Sequence, residues 1–364
     1  MKRNRFLSIA MIACMLISSV FTANAAEVNE IVSTLDKTDI SKHISDENLN
    51  RLKNARVSDE DILSLAQQIE AYNPTDVQIN NYIEDLINNR VGRNVISEEK
   101  RAVNYEKTKD GDTITPYGIV PYRDLSEKWN PPVISAVSTL SNVVNASDQS
   151  GVYYCVRSTA GHNQMTSFAQ LPSLETVNTN DRPYQMFTFA TSNSYTAYGD
   201  IGLVYFPSTS SWKGFYNVVE NGTRYENYSL SFTGGSDLYF HIQFYNAPDK
   251  AVLTIRDASS WSAVATITYT FALDCVNSTF STTQIAKEIT LAQHNSGTLN
   301  ILTGTKMNNA KYTQTYLYTP STYYSFTSTY CAAAYRQGPT AAAYGKVTPT
   351  YTAWTSDNVT ISFN

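Results

Sequence analysis

Carboxylates able to do chemistry are sparse in this chain and sit among many tyrosines. Beyond Thr113 only five glutamates occur: Glu127, Glu175, Glu220, Glu226 and Glu288. Glycoside hydrolysis needs two carboxyl groups flanking a scissile bond. A strand carrying E-x-D-x-x-E would supply them on one face, and no such run is present. Glu220 and Glu226 bracket the turn Asn221-Gly222 and are expected to face one another across a hairpin mouth. Gln243 and Glu288 both fall on strand-like segments and form the one-Gln, one-Glu combination that peptide hydrolysis on a β-sandwich would use. Each of these four has a plainer reading as a solvated or structural residue, so no catalytic residue is assigned.

The other reactive types are equally scattered. Cys155, Cys275 and Cys331 stand against His162, His241 and His294 without a local nucleophile signature. Three cysteines leave one pair that would bridge or, more simply, three small hydrophobes in strand cores. The four histidines, at 43, 162, 241 and 294, lack zinc-ligand spacing. Asp200, Asp237 and Asp249 lie near turns and are the weak candidates for calcium, with ordinary turn aspartate as the plainer reading. No cofactor is expected.

Recognition has better support than catalysis. Of 26 tyrosines only Tyr72, Tyr82 and Tyr105 precede Thr113. Tyrosine offers a large amphipathic contact area at low entropic cost and is favoured in binding surfaces. Tyr316 and Tyr318 share a strand face. Trp261, in Asp257-Ala-Ser-Ser-Trp261-Ser, reads as an exposed anchor at a hairpin tip. Trp129, Trp212 and Trp354 are further sugar-stacking candidates, with Trp212 reading better as core. Tyr335 and Tyr344 end the repeated Ala-Ala-Ala-Tyr, expected either as an aromatic-tipped loop or as a strand pair whose small residues allow close packing.

The elements that position these residues change character near Thr113. Lys2, Arg3 and Arg5, the apolar run 6–21 and Ala23-Asn24-Ala25 have the form of a cleaved secretory signal, residues 1–25. The run is shorter than the roughly 20 residues of a membrane span. Cys14 lies inside that run, which argues against a lipid anchor. Residues 26–93 form a helical segment. Ser58-Asp-Glu-Asp61 opens a helix with stripe Ile62, Leu65, Ala66, Ile69 and Tyr72, and Asn73-Pro74 stops it. Thr75 caps the next, with stripe Ile79, Tyr82, Ile83, Leu86 and Ile87, and a weaker helix runs over 47–56. So small a segment must dock on something to bury its stripes. Residues 94–114 read as a linker, and Lys100-Arg101 and the pair Lys107/Lys109 make release of a pro-segment the alternative to a permanent subdomain.

From 115 to 364 almost every segment alternates, for example 151–156, 184–189, 200–206, 212–219, 237–245, 251–256, 285–292 and 312–318. Asn221-Gly222, Gly234-Gly235 and Asn246-Ala-Pro-Asp249 mark turns. The expectation is a mainly β fold, an antiparallel jelly-roll sandwich preceded by a small helical segment. Residues 26–112 carry 11 Lys/Arg against 18 Asp/Glu, and 113–364 carry 13 against 14. Neither half has the positive field that nucleic acid requires, and an anionic membrane is disfavoured on the same grounds.

Gly199-Asp-Ile-Gly-Leu-Val-Tyr205, followed by Trp212-Lys213 and Phe215-Tyr216, resembles the DIG-x-x-Y and W-K-x-Y core of the YrpD-like secreted bacterial proteins. The order of features is similar across roughly 180 to 290, including Leu238-Tyr-Phe-His-Ile-Gln243 and Ala251-Val-Leu-Thr-Ile-Arg256. The resemblance implies a concanavalin-like sandwich in a family without an assigned role. The resulting expectation is a secreted binding protein for an extracellular glycan, or for a secreted host protein such as an immunoglobulin. A hydrolase with dispersed carboxylates and a self-associating matrix protein are the alternatives.

Overall fold

The computed structural model describes residues 33–34, 40–88, 106–109, 111–115, 118–120, 140–295, 297–351 and 354–364. The signal at 1–25 and Trp129 lie outside these residues. Among the described residues no helix is long and apolar enough to cross a membrane.

Capping determines where the helices begin. After α1 (Ile40–His43), Ser45 caps α2 (Asp46–Asn54), and Ser58 caps α3 (Asp59–Tyr72) by accepting from the Asp61 amide. Asn73 ends α3 in the left-handed conformation, φ 45°. Thr75 and Gln78 close a capping box on α4 (Asp76–Ile87). Most of each predicted stripe is buried, Ile62, Leu65, Ala66 and Ile69 on α3 and Tyr82, Ile83 and Leu86 on α4, while Tyr72, Ile79 and Ile87 are half-buried.

The β domain is two packed sheets. The first has eight strands in the order β12 (Thr223–Leu230), β11 (Ser211–Glu220), β10 (Thr196–Phe206), β9 (Asp181–Ser192), β16 (Gln284–Gln293), β6 (Gly151–Ser158), β19 (Cys331–Gly338) and β5 (Ser141–Val144). Every pairing is antiparallel except β19 with β5. The second sheet orders β1 (Ser33–Thr34), β18 (Thr322–Ser325), β17 (Lys306–Tyr318), β7 (Gln164–Gln170), β13 (Asp237–Asn246), β14 (Asp249–Asp257) and β15 (Ala263–Thr270). Added at its margin are β8 (Ser173–Glu175), β20 (Val347–Tyr351) and β21 (Asp357–Ser362), which gives ten strands in all. Phe187, Phe189, Ile201, Ile289, Phe240, Ile242, Phe244 and Tyr312 interdigitate between the sheets.

The outer faces are covered as well, which the strand pattern alone did not reveal. Helices α3 and α4 pack on the ten-stranded sheet, where Tyr82, Ile62 and Leu65 share one cluster with Trp261 and touch Phe168. Within the segment read as linker, Glu106–Lys107 forms β2, which pairs with β3 (Thr113–Thr115) and through it with β4 (Gly118–Val120). This small sheet lies against the outer face of the eight-stranded sheet, with Val120 packed among Tyr184, Met186, Val204 and Phe215. In the tail, the first Ala-Ala-Ala-Tyr belongs to β19, whereas the second is the single helical turn α5 (Ala341–Tyr344), capped by Thr340. The strand pair expected there is therefore half strand and half helix.

Candidate functional site

Covering layers remove most of the expected tyrosine surface. Trp261 is 1 % exposed, stacked on Tyr239 at 4.9 Å with planes 10° apart, because α4 lies over its hairpin tip. Tyr318 and Tyr335 are buried. Tyr316 is half-buried and meets Tyr72 of α3 edge-on at 4.9 Å. Tyr344 is half-buried beneath the Arg336 guanidinium. Trp354 is buried and Trp212 packs against the inner core, so neither is a free stacking platform.

The catalytic pairs also separate. Glu220 turns inward, accepting from the Tyr269 hydroxyl at 2.9 Å and the Leu273 amide at 2.6 Å. Glu226 sits opposite Asn217 on the outer face, so the two acids point to opposite sides of their hairpin. Alternation explains this: Tyr216 and Val218 are core residues, which places Glu220 with them and Asn217 on the other side. Gln243 and Glu288 diverge in the same way. Gln243 alternates with core Ile242 and Phe244 and faces the helices; Glu288 alternates with core Ile289 and faces outward from the other sheet. The whole sandwich lies between them.

All three described cysteines are free and buried. The histidine partners are Thr159 for His162, Gln164 and Tyr82 for His241, and Tyr184 for His294; none is a cysteine. Burial pushes the Cys275 and Cys331 thiols up to about 12, far from a nucleophilic thiolate. Asp249 accepts from the Cys275 and Val276 amides, a turn-holding role. Asp237 is exposed at the start of β13. Among the described residues no three His, Cys, Asp or Glu side chains cluster as metal ligands.

The structure does assemble a site that the sequence reading did not name, on the outer face of the eight-stranded sheet. A small cleft of about 50 Å³ is lined by Ser150, Tyr153, Tyr184, Asp200, Phe215, Asn217, Arg224, Tyr228, Thr290 and His294, with Val120 of β4 at its wall. Strand register brings these together. Asp200 pairs with Asn217, which pairs in turn with Glu226, so three polar residues form one cross-strand row. Beside that row β10 carries Gly202, where a Cβ would stand 2.5 Å from Met186 Cα. With no side chain there, Tyr184 of β9 and Phe215 of β11 meet edge-on across β10 at 5.0 Å. Phe215 in turn stacks on Tyr228 at 5.7 Å with planes 2° apart.

Polar groups inside the cleft are held in place by their neighbours. The Tyr184 hydroxyl and His294 Nε2 share a hydrogen bond of 2.5 Å. Ser150 donates to Asp148 at 2.5 Å and also meets the Tyr153 hydroxyl. Arg224 Nε donates to Asn217 at 2.9 Å and ion-pairs with Glu226. From the covering sheet, Thr113 and Lys107 reach the same Glu226 carboxylate at 3.0 and 3.3 Å. Thr290 donates to Glu288 at 2.9 Å. Burial holds the His294 imidazole well below its ordinary value, aided by the positive charges of Arg182 and Arg224, so the ring is neutral. His294 is 3 % exposed, and its Nδ1 has no hydrogen-bond partner. A buried ring nitrogen without a partner is costly, and this ring lines the cleft.

Of the earlier candidates, Asp200 lines this cleft, Glu226 and Glu288 flank it, and the rest lie elsewhere. Tyr153, Tyr184, Asn217, Arg224, Tyr228 and His294 were missed as a group. A parity signal existed, since Asp200, Asn217, Arg224, Glu226 and Thr290 recur at outward positions of β10 to β12 and β16, but outward residues are often polar in sandwiches and here apolar Met186, Val204 and Phe215 lie among them.

No protein-family model matches the sequence, and no curated protein does. Among solved structures, scytalido-glutamic peptidase with a peptide-based transition-state analogue is similar at 7 % identity and TM-score 0.33, over 58 % of this chain and 98 % of that one. SCP-B, an eqolisin-family peptidase bound to the tripeptide Ala-Ile-His, gives TM-score 0.31 at 7 % identity, again over 58 % and 98 %. The tailspike protein 2 of Escherichia coli O157:H7 bacteriophage CAB120 gives 0.25 at 12 % identity over 51 % of this chain and 28 % of the tailspike. At these scores the likenesses carry no argument about activity.

Proposed function

We propose that this chain is a secreted, non-catalytic binding protein that takes a hydroxyl-rich extracellular ligand, a glycan segment, in the cleft of the eight-stranded sheet. One observation carries the reading: His294 Nδ1, buried and without a protein partner, belongs to a ring lining a cleft walled by stacked aromatic rings. Asp200, Asn217, Arg224 and Thr290 supply acceptors and donors for hydroxyl groups. A flat protein-binding surface has less support, because Trp261, Tyr318 and Tyr335 are covered. The signal-like N-terminus and the resemblance to YrpD-like secreted proteins support export.

The competing hydrolase reading rests on Asp200, Glu226 and Glu288 sharing the same outer face. Glu226 is tied by Arg224, Lys107 and Thr113, contacts that hold its carboxylate in place within the protein. The test is a glycan and secreted-protein panel, immunoglobulins included, probed with the full chain and with His294→Phe. Saturable glycan binding weakened by the substitution supports the proposal. Turnover of a panel glycan abolished by Glu226→Gln or Glu288→Gln would replace it with the hydrolase.

A further inference from the structure

Between the two sheets, in the centre of the apolar core, lies an ion pair. Lys287 of β16 and Asp357 at the start of β21 come from opposite sheets, and both side chains are 0 % exposed. Lys287 Nζ contacts Asp357 Oδ2 directly. The Tyr154 hydroxyl donates to the other carboxylate oxygen, Oδ1, at 2.5 Å. Lys287 Nζ also donates to the Trp354 carbonyl at 2.5 Å and to Thr315 Oγ1 at 3.2 Å, with the Phe326 ring 5.5 Å away. Tyr154, Tyr312, Leu317, Phe326 and Val359 belong to the surrounding apolar cluster.

Two full charges in such a place are expensive, at several kcal/mol per ion. Desolvation accordingly pushes the Asp357 carboxyl up and the Lys287 amine down. Both shifts favour transfer of one proton from ammonium to carboxylate, which leaves a neutral amine against a neutral carboxylic acid. An amine lone pair in contact with a carboxyl group, held from two rigid sheets, has the proximity that turns a slow bimolecular condensation into an intramolecular one.

We propose that Lys287 and Asp357 condense into an isopeptide bond that joins the two sheets covalently. Nζ of the neutral amine attacks Cγ of the neutral acid, forming the C–N bond. Tyr154 stabilises the charge that develops on Oδ1 through its hydroxyl hydrogen bond. The Cγ–Oδ2 bond then breaks, and that oxygen leaves as water with the acid proton and one proton from nitrogen. Ammonium plus carboxylate thus become a secondary amide plus one water, without an oxidant, a reductant or a co-reactant. The product carries no charge, which removes the desolvation cost, and it ties the C-terminal strand β21 to the central strand β16.

Peptide mapping of the full folded chain by mass spectrometry tests this directly. The expected result is a branched peptide containing both residues, lighter than its two linear parts by one water, about 18 Da, and loss of tryptic cleavage after Lys287. The branched peptide should vanish in Lys287→Arg. In Asp357→Asn it should persist with ammonia as the leaving group. Recovery of linear peptides carrying unmodified Lys287 and Asp357 from aged, folded wild-type protein would overturn the proposal. A dehydrated Asp357 in a linear peptide, with Lys287 still cleavable, would overturn it equally. Both readings come from wild-type protein, so a variant that fails to fold leaves the test intact.

Discussion

Arg256→Ala is expected to be among the most damaging single substitutions outside the inner core. Arg256 is fully buried on β14 beneath α4. Its Nη1 donates to Asp85 Oδ2 and to the Trp261 carbonyl, each at 2.7 Å, and its guanidinium carbon lies 3.6 Å from the Tyr82 ring centroid. The same Asp85 oxygen accepts from the Ala263 amide at 2.7 Å. Truncation removes the cation and leaves the Asp85 carboxylate buried with the Ala263 amide still donating to it. Breaking one side of a buried pair costs about 3–5 kcal/mol. With a urea m-value near the upper end for domains, about 3 kcal/mol per molar, the midpoint should fall by roughly 1 to 2 M. Equilibrium unfolding followed by tyrosine and tryptophan fluorescence reads this. The double variant Asp85→Leu/Arg256→Met removes both charges and should regain most of the loss. If the double variant is as unstable as Arg256→Ala, the orphaned charge is not the cause and the reasoning fails.

Trp261→Ala should cost about 3–5 kcal/mol of stability through the cavity left beneath α4, while cleft binding stays unchanged; weakened binding with intact stability would place the ligand elsewhere. Acid should destabilise the fold through three buried histidines, because burial holds His241 down to about 3, His162 to about 4 and His294 well below its ordinary value. The unfolded chain then binds more protons between its ordinary value near 6.5 and those depressed values, so stability is full above about 6.5 and falls as pH drops toward 4. The urea midpoint should decline from pH 7 to pH 5, and His241→Gln should flatten that slope; an unchanged slope would contradict the burial-based account. The three buried thiols should resist a maleimide in the folded protein and react on unfolding, a contrast that fails if any of them labels rapidly in the native state.

Local signals were legible and long-range ones were not. Ser58, Asn73 and Thr75 set helix ends because capping chemistry is local. Asn221 and Gly222 take φ 45° and 81°, the positive values that the Asn-Gly turn demands. Alternation located most strands. It missed β7, whose outward positions are Gln164, Thr166 and Phe168, because a layer covering them left no mark in the strand itself. That layer is fixed by contacts across the chain: Ser64 donates to Gln164, Tyr239 to Gln68 and Tyr245 to Asp61, the last two donors on β13 and both acceptors on α3. The cleft was hidden for the same reason. Tyr184 and His294 lie 110 residues apart and meet only through sheet register. Tyrosine enrichment was read as exposed surface, whereas Tyr153, Tyr154, Tyr239, Tyr245, Tyr312 and Tyr318 are among the largest fully buried side chains. Their hydroxyls find partners between layers, which satisfies them without solvent.

The central claim is that the outer face of the eight-stranded sheet holds the ligand. Interferometry of the full chain against cell-wall, mucin and plant glycans, repeated with His294→Phe and Tyr184→Phe, tests it most directly. Each substitution removes about one hydrogen bond, so affinity for the bound glycan should drop roughly tenfold while the unfolding midpoint shows that the fold is retained. Glycan binding that both folded variants retain at full strength would contradict the claim, as would saturable binding to a protein but to no glycan.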